Sequence, residues 1–243
     1  MTLDQAVGII PVRYGARRFP GKPLAPILGK PMLQWVIEGV KKAKLLSRII
    51  VATDDERIFQ AGKSLGAEAA MTSPACASGT ERVAEVARSL EASIIINIQG
   101  DEPLVDGEML DVLVEALNDR TIPMATLIAK VSDMNLIRDE HIVKVVTDRN
   151  GFALYFSRSP LPFQAQDYFF HHIGIYGYQR DFLLNFQDLP SSRLELIEKL
   201  EQLRVLESGQ KILTVEIASP TLSVDTPQDI ISIERRLRTK THE

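Results

Sequence analysis

The first part of the chain alternates short apolar runs with amphipathic stretches, and this alternation limits the folds that it can adopt. Residues 7–10 form a compact apolar run closed by Pro11, which cannot donate to a continuing ladder, so residues 6–12 are predicted as a short buried strand. Apolar side chains then recur at helical spacing at Met32, Leu33, Val36, Ile37 and Val40. A second apolar run at residues 48–52 predicts the next buried strand and completes one strand–helix–strand unit.

The same alternation continues up to about residue 100. It predicts a helix at 56–65, a strand at 68–71, a helix at 80–90 and an isoleucine-rich strand at 93–99. Strands that alternate with helices indicate a parallel sheet with helices on both faces. The predicted fold class is therefore α/β, a Rossmann-like, doubly wound, mostly parallel sheet.

The pattern changes after Pro123. Strand-like stretches follow one another with little helix between them, at residues 124–131, 142–147, 153–156 and 173–178. They predict a smaller mixed-sheet lobe around residues 124–190. An acidic helix at 192–208, a strand at 211–217 and a helix from Pro227 follow, and because no low-complexity linker separates these parts we expect one domain, 1–243.

Charge is distributed unevenly along the chain. The net charge of -4 argues against general nucleic-acid binding. Residues 11–37 contain no acidic residue, but they contain five basic ones: Arg13, Arg17, Arg18, Lys22 and Lys30. A local cationic site in an acidic protein predicts a small polyanionic ligand.

Several classes of protein are disfavoured by the sequence. The first five residues lack a basic leader, and no apolar run approaches the roughly 20 residues that cross a bilayer, so we expect a cytoplasmic protein that does not enter the membrane. The single cysteine, Cys76, excludes an internal disulfide. The four scattered histidines offer no spacing for a zinc site.

Three polar loops follow the predicted strands, at residues 11–23, 53–54 and 99–103. In open α/β sheets, ligands bind beyond the carboxyl ends of the strands, so we expect these loops to converge on one edge.

The first of these loops combines glycines, which allow tight turns, with cations that can surround phosphate oxygens, and it could hold a triphosphate. It is not a Walker A loop, because the spacing from Gly15 to Gly21 is too long and Pro23 stands where Ser or Thr would bind magnesium. It also lacks the GxGxxG spacing of a dinucleotide site.

This loop resembles the signature of the CMP-Kdo synthetases, the 3-deoxy-manno-octulosonate cytidylyltransferases. Further segments resemble that family in the same order along nearly the whole chain: residues 71–72, 78–82, 99–103, 153–158, 172–178, 200–206 and 224–227. The resemblance implies a fold of the nucleotide-diphospho-sugar transferase type. It also implies Mg²⁺-dependent transfer of CMP from CTP to 3-deoxy-D-manno-octulosonate (Kdo), which gives CMP-Kdo and pyrophosphate for lipopolysaccharide biosynthesis.

The resemblance assigns residues to the nucleotide. Arg13, Arg18 and Lys22 match the triphosphate-binding positions of the family. Asp101 and Asp225 match its magnesium ligands, and carboxylates are the hard oxygen donors that Mg²⁺ prefers. Three further residues fall where the family contacts the nucleotide or the sugar: Ser78, Gly79 and Gln99. Backbone groups near Pro11 and residues 71–73 are expected to read cytosine in part.

The resemblance also assigns a sugar site and a quaternary structure. The Kdo-binding positions of the family correspond to Arg158, His172, Tyr176, Glu201 and Gln202, which offer a cation for the carboxylate and polar groups for hydroxyls. No dedicated general base is assigned, since Mg²⁺ could lower the pKa of the attacking hydroxyl. The family is dimeric, so we expect a homodimer that uses the lobe around residues 160–190. The aromatics of this lobe either supply apolar area to the interface or belong to the core: Phe169, Phe170, Phe182 and Phe186.

Two departures from the family pattern stand out. The family usually has serine where this chain has Ala16, and Arg17 could compensate electrostatically. The stretch at residues 163–170 is shorter and less basic than in many relatives, which bears on the sugar site.

Three alternatives stay open on the sequence. Another cytidylyltransferase, for 8-amino-Kdo or a sialic acid, would share the nucleotide half, and Glu102 favours Kdo. A binding protein that has lost catalysis is supported by Ala16 but opposed by the retained charged residues Arg13, Lys22, Asp101 and Asp225. A reductase or kinase on the same fold class is opposed by the missing dinucleotide and Walker loops.

Overall fold

The computed structural model describes residues 6–15 and 19–240. The described chain forms two compact units. The first unit contains the described residues up to Asp111 and those from Thr221 onward, and the second unit is Val112–Pro220. The single domain predicted for residues 1–243, with its lobe at 124–190, stays a prediction.

Strands and helices alternate as follows. The strands are β1 (Ala6–Val12), β2 (Pro26–Ile27), β3 (Lys30–Pro31), β4 (Leu46–Thr53), β5 (Glu68–Met71), β6 (Ile94–Asn97), β7 (Met124–Val131), β8 (Lys144–Thr147), β9 (Ala153–Ser157), β10 (Phe169–Gln179) and β11 (Ile212–Ile217). The α-helices are α1 (Met32–Val40), α2 (Glu56–Ser64), α3 (Gly79–Ala87), α4 (Gly107–Ala116), α5 (Arg180–Leu184), α6 (Arg193–Glu198), α7 (Leu203–Glu207) and α8 (Pro227–Lys240). Short 3-10 helices occupy Lys22–Leu24, Met134–Arg138 and Phe186–Asp188. None of the helices in the described part of the chain is both long and apolar enough to span a bilayer.

The first unit contains a parallel sheet. Strand β1 pairs with β4 on one side and with β6 on the other, and β4 pairs with β5, all in parallel. Every residue of β1 and β6 is buried, as expected for parallel strands covered on both faces, which form continuous apolar runs. The predicted strands and helices of the first half are confirmed, with ends that move by a few residues.

Helix α8 belongs to the first unit although it lies at the other end of the chain. Its Ile233 is fully buried in an apolar cluster with Ile27, Met32 and Val224. The carboxylate of Glu234 also accepts a hydrogen bond of 2.9 Å from the backbone N–H of Leu28. This packing fixes the segment before α8 in the first unit, where it contributes Asp225.

Helix α4 was not predicted, although the sequence carries its signals. Asp106 caps the helix by accepting from the N–H of Glu108 at 3.2 Å. Apolar residues recur at helical spacing within the helix and directly after it, and they are buried: Leu110, Leu113, Val114 and Leu117. Gly107 is needed because a Cβ there would stand 2.3 Å from the backbone nitrogen of Ala43.

The second unit contains a mixed sheet, which confirms the predicted change of pattern after Pro123. Strand β11 runs parallel to β7, whereas β10 is antiparallel to both β7 and β8. Strand β9 pairs antiparallel with β8. The register of β10 against β7 shifts between Ile173 and Tyr176, so the side chains on the two sides of this irregularity do not follow simple alternation.

The prediction of one acidic helix at residues 192–208 is wrong. The segment forms two short helices, α6 and α7, and Lys199 between them has a φ of 58°, in the left-handed region. The carboxylate of Glu207 accepts a 2.5 Å hydrogen bond from the Ser192 hydroxyl. In one continuous helix those residues would lie about 22 Å apart along the axis, so this contact requires the chain to turn back.

Candidate active site

An open pocket lies at the carboxyl ends of β1 and β6. Because these strands are parallel neighbours, the loops that follow them emerge at the same edge of the sheet. The pocket contains about 460 Å³ of empty space, a volume that includes its open mouth. Its lining comprises Pro11, Val12, Arg13, Lys22, Pro23, Gln99, Gly100 and Asp101. The predicted convergence is therefore confirmed for the first and third polar loops.

The loop after β1 turns back on itself and delivers Lys22 to this pocket. Gly21 donates its N–H to the carbonyl of Tyr14 at 2.9 Å and has a φ of 73°, a conformation that favours glycine. A short 3-10 turn then begins at Lys22. The Lys22 side chain is only 13% exposed, so the turn directs the ammonium inward.

The ammonium of Lys22 lies between the two predicted magnesium ligands. Its Nζ donates to Asp101 Oδ2 at 2.6 Å and to the Val224 carbonyl at 2.7 Å, and it is 4.0 Å from Asp225 Oδ1. Val224 and Asp101 are also joined through their backbones, by a hydrogen bond of 2.9 Å. The structure thus brings together Lys22, Asp101 and Asp225, which are far apart in the sequence.

The start of α8, next to Asp225, is capped from within the helix. The carboxylate of Asp229 accepts from the backbone N–H groups of Asp225 and Thr226, at 2.9 and 2.7 Å. Asp229 therefore caps the helix start from within its first turn. The sequence contained this residue, but its capping role depends on side-chain geometry.

The paired carboxylates fit a divalent cation. A cation, the Lys22 ammonium, already lies within 4.0 Å of an oxygen of each. Within residues 6–15 and 19–240, no group of three or more His, Cys, Asp or Glu could hold a metal. A pair of carboxylates fits Mg²⁺, which is usually held by one or two carboxylates together with substrate phosphates.

Glu102 is a buried acid beside this pair that was not assigned a role in the site. Its side chain is 6% exposed, and its Oε2 is buried without a hydrogen-bond partner among the described residues. Burial, and then the charge of Asp101, raise the pKa of Glu102 to about 8. Glu102 is therefore protonated at neutral pH and adds no charge to the carboxylate pair.

The start of α3 contributes the other predicted nucleotide residues. The hydroxyl of Ser78 caps the helix by accepting from the N–H of Glu81 at 3.2 Å. Gly79 lies against the pocket, because a Cβ there would stand 3.4 Å from Pro11 and 4.0 Å from the Gln99 side chain. Gly79 and Gln99 are thus placed together, whereas Ser78 serves the helix.

Helix α3 also clamps the segment that was expected to read cytosine. Arg82 is fully buried and donates to Asp54 Oδ2 at 2.9 Å and to the hydroxyl of Thr72. Glu85 accepts from the N–H of Ser73 at 3.0 Å. In the sequence, Arg82 is only one residue of a motif and Glu85 carries no signal, because neither burial nor these hydrogen-bond partners can be read from the pattern.

These hydrogen bonds limit the backbone groups that residues 71–73 can offer to a base. The N–H of Thr72 donates to the Thr53 carbonyl at 2.8 Å, and that of Ser73 donates to Glu85. The backbone N–H groups of these two residues are therefore already used, and the Ser73 carbonyl accepts from the N–H of Cys76 at 3.3 Å, which leaves the Thr72 carbonyl as the group to offer. A carbonyl accepts a hydrogen bond, and the exocyclic amino group of cytosine is a donor.

Three of the predicted sugar residues form a buried cluster in the second unit. The Tyr176 hydroxyl donates to Gln202 Oε1 at 3.2 Å, and the His172 and Tyr176 rings have centroids 5.5 Å apart. His172 Nε2 is 3.0 Å from the Thr126 hydroxyl. Burial lowers the pKa of His172 to about 3 and raises that of Tyr176, so both side chains are neutral.

The other two sugar residues have different surroundings. Burial is the main cause of the raised pKa of Tyr176, and the negative charge of Glu201 adds to it. Arg158 instead donates to the carbonyls of Glu198 and Glu140, at 3.0 and 2.8 Å. The structure therefore holds the Arg158 guanidinium with backbone partners and not with the cluster.

Arg18, predicted to bind the triphosphate, lies outside the described residues, as do Ala16 and Arg17.

Comparisons with known proteins agree with this geometry. The family model described as cytidylyltransferase matches residues 7–212. A 3-deoxy-manno-octulosonate cytidylyltransferase of Trichlorobacter lovleyi is 49% identical over 96% of this chain and 99% of its own length. One of Syntrophotalea carbinolica is 48% identical, over 95% and 97%.

Solved structures give the same result. A CMP:2-keto-3-deoxy-manno-octonic acid synthetase complexed with CTP superposes with a TM-score of 0.92 at 41% identity, covering 97% of this chain and 99% of that one. A cytidylyltransferase from Leptospira borgpetersenii has a TM-score of 0.64 at 17% identity, covering 97% and 87%, and supports the α/β fold alone. The chain belongs to the cytidylyltransferase family and, within it, to the 3-deoxy-manno-octulosonate cytidylyltransferases.

Proposed function

We propose that this protein transfers CMP from CTP to Kdo and releases pyrophosphate, with Mg²⁺ as cofactor. The observation that carries the proposal is the convergence of Lys22, Asp101 and Asp225 beside a pocket that Arg13 also lines. Cations for a triphosphate and carboxylates for a metal are the groups that nucleotidyl transfer requires. The relatives named for this reaction match nearly the whole chain.

The proposed reaction is a substitution at phosphorus. The anomeric hydroxyl oxygen of Kdo bonds to the α-phosphorus of CTP, the bond from that phosphorus to the bridging oxygen breaks, and pyrophosphate leaves with the electron pair. Arg13 and Lys22 bind phosphate oxygens, and Asp101 and Asp225 would hold Mg²⁺. When bound, Mg²⁺ neutralises phosphate charge and lowers the pKa of the attacking hydroxyl, which then gives its proton to water.

The sugar acid would be bound by residues of the second unit. The Tyr176 hydroxyl donates its one hydrogen to Gln202 Oε1, so its oxygen can accept from the sugar. Gln202 has a buried Nε2 without a partner among the described residues, so it has a donor to offer. His172, Glu201 and Arg158 complete the proposed site. A bound hydroxyl that accepted from the Gln202 amide would satisfy this buried group.

We further propose a homodimer that forms through the second unit. Phe169 and Phe186, two of the aromatics expected at the interface, are 1% and 2% exposed and belong to the core of their own chain. Large apolar side chains that are exposed in this unit include Leu154, Phe163, Leu196 and Ile197. A cytoplasmic location and a role in lipopolysaccharide assembly stay predictions.

A pyrophosphate-release assay tests the proposed function. CTP, ATP, GTP and UTP are each offered with Mg²⁺ and Kdo, 8-amino-Kdo or sialic acid. Turnover selective for CTP with Kdo is the expected result. Preference for another sugar would move the specificity and keep the reaction, whereas no release with any pair would overturn the proposal.

A further inference from the structure

The Lys22 ammonium occupies the place between Asp101 and Asp225 where their common cation would bind. Its Nζ is 2.6 Å from Asp101 Oδ2 and 4.0 Å from Asp225 Oδ1, and the Val224 carbonyl accepts a third contact at 2.7 Å. With three oxygen atoms around it, the ammonium resembles a coordinated ion. The side chain is 13% exposed, so bulk water does little to screen the two nearer contacts.

This position creates competition between lysine and a divalent ion. Magnesium binds carboxylate oxygens at about 2.0–2.1 Å, so an ion on Asp101 would lie only a few ångströms from an ammonium that kept its present place. Two positive charges at that distance in a partly buried site repel each other. Movement of the ammonium away from the carboxylate pair would therefore favour binding of the ion.

The pocket offers a second position for the lysine. Lys22 and Arg13 line the same pocket, and the proposed occupant of that pocket is a triphosphate, which carries several negative charges. A flexible four-carbon side chain can turn from the carboxylates to a phosphate oxygen without a change of backbone. Nucleotide binding would then release the carboxylates for the ion.

We infer that Lys22 is an internal counter-ion that occupies the carboxylate pair in the nucleotide-free protein and couples the binding of CTP to the binding of the divalent ion. The inference rests on the proposed function, since it takes Asp101 and Asp225 as metal ligands and the pocket as the triphosphate site. It predicts that metal binds weakly without nucleotide and that removing the lysine charge strengthens this binding.

The test measures Mn²⁺ bound to the whole, nucleotide-free protein, from the loss of the free-ion electron paramagnetic resonance signal. Lys22→Met and Lys22→Gln should each bind Mn²⁺ about tenfold more tightly than the wild type, within the usual range of coupling between sites. The glutamine variant keeps hydrogen-bond donors for Asp101 and Val224 while removing the charge, so it also covers the case in which Lys22→Met fails to fold. Adding Asp101→Asn to either variant should abolish the gain.

A matched control removes a lysine beside another acid of the same unit. Lys42 Nζ is 3.7 Å from Asp106, and its side chain is 66% exposed, so Lys42→Met should leave Mn²⁺ affinity at the wild-type value. Equal or weaker Mn²⁺ binding by both folded Lys22 variants would overturn the inference. A separate measurement tests whether Asp101 is a metal ligand at all. Full Mg²⁺-dependent turnover by Asp101→Asn, with Lys22 unchanged, would show that it is not.

Discussion

Glu102 shows how one buried side chain sets the charge of the site. Its neighbour Asp101 is 30% exposed and ion-paired with Lys22, whereas Glu102 is almost completely buried. Burial is the larger cause of its raised pKa, the charge of Asp101 is the next, and a hydrogen bond with Thr221 acts in the opposite direction. Burial therefore keeps Glu102 neutral at pH 7, next to an acid that is ion-paired with a cation.

The raised pKa of Glu102 makes stability depend on pH. The folded protein keeps this proton up to a pKa of about 8, whereas the unfolded chain loses it near 4.5, so this group lowers stability as pH rises between those values. Glu102→Gln removes the titrating group. The free energy of unfolding of this variant minus that of the wild type should therefore be about 2–4 kcal/mol larger at pH 8.5 than at pH 4.5. Urea denaturation at both pH values measures this difference. Glu108→Gln, at an exposed position of α4, is the control, and the same pH dependence in wild type and Glu102→Gln would contradict the assignment.

At the scale of elements, the sequence predicts the strands and helices whose buried residues follow a regular apolar spacing. Strands β1 and β6 are covered on both faces, and helix α1 buries the apolar positions that its spacing indicates. The acidic stretch at 192–208 has a helical composition, but Glu195 and Glu207 bond to Arg204 and Ser192 across a turn. Charge patterns indicate an exposed helix face and do not reveal such long-range partners.

The left-handed Lys199 between α6 and α7 permits a test of that break. A residue with a Cβ in this conformation costs roughly 1 kcal/mol relative to glycine. Lys199→Gly should therefore raise the free energy of unfolding by about 1 kcal/mol, whereas Lys199→Ala should not. Thermal and urea unfolding of both variants measure the effect. Destabilisation by glycine would indicate that α6 and α7 form the continuous helix that the sequence suggested.

The clamp by helix α3 should contribute more to stability than an exposed ion pair of similar length. Asp54→Ala leaves the fully buried Arg82 without its carboxylate and should cost about 3 kcal/mol, since breaking a buried pair strands a charge. Glu68→Ala removes a pair with Arg48 that is about half exposed and should cost less than about 1 kcal/mol. Urea denaturation compares the two, and equal losses would show that Arg82 finds other partners.

At the scale of the whole molecule, the predicted site residues fall in both units. Lys22, Asp101 and Asp225 come together in the first unit, and His172, Tyr176 and Gln202 come together in the second. Resemblance to the family identified these residues. Composition and spacing alone could not, because the residues that come together are distant in the chain. The ion pair of Lys22, the neutral state of Glu102 and the backbone partners of Arg158 required coordinates.

The proposed dimer also belongs to this scale. Light scattering after size exclusion should give twice the chain mass of 27.1 kDa for the wild type. Ile197→Glu places a charge on an exposed apolar position of α6 and should shift the protein towards the monomer, because burying an unpaired carboxylate opposes association. The neighbouring Glu198 is left unchanged, because its carboxylate accepts a hydrogen bond from the Ser157 hydroxyl. Glu108→Gln serves as the control. A monomeric wild type would contradict the proposed assembly.

Transfer of CMP to Kdo can be followed at the phosphorus atoms of CTP by ³¹P NMR, in a reaction with Kdo and Mg²⁺. We expect the α-phosphorus signal to move to that of a CMP ester of the sugar while an equal amount of pyrophosphate appears. Asp101→Asn should slow this conversion at least about a hundredfold, as expected for the loss of a group that organises charge at the reacting phosphorus. Release of inorganic phosphate instead of pyrophosphate, or CTP that stays intact with the wild-type protein, would contradict the proposed transfer.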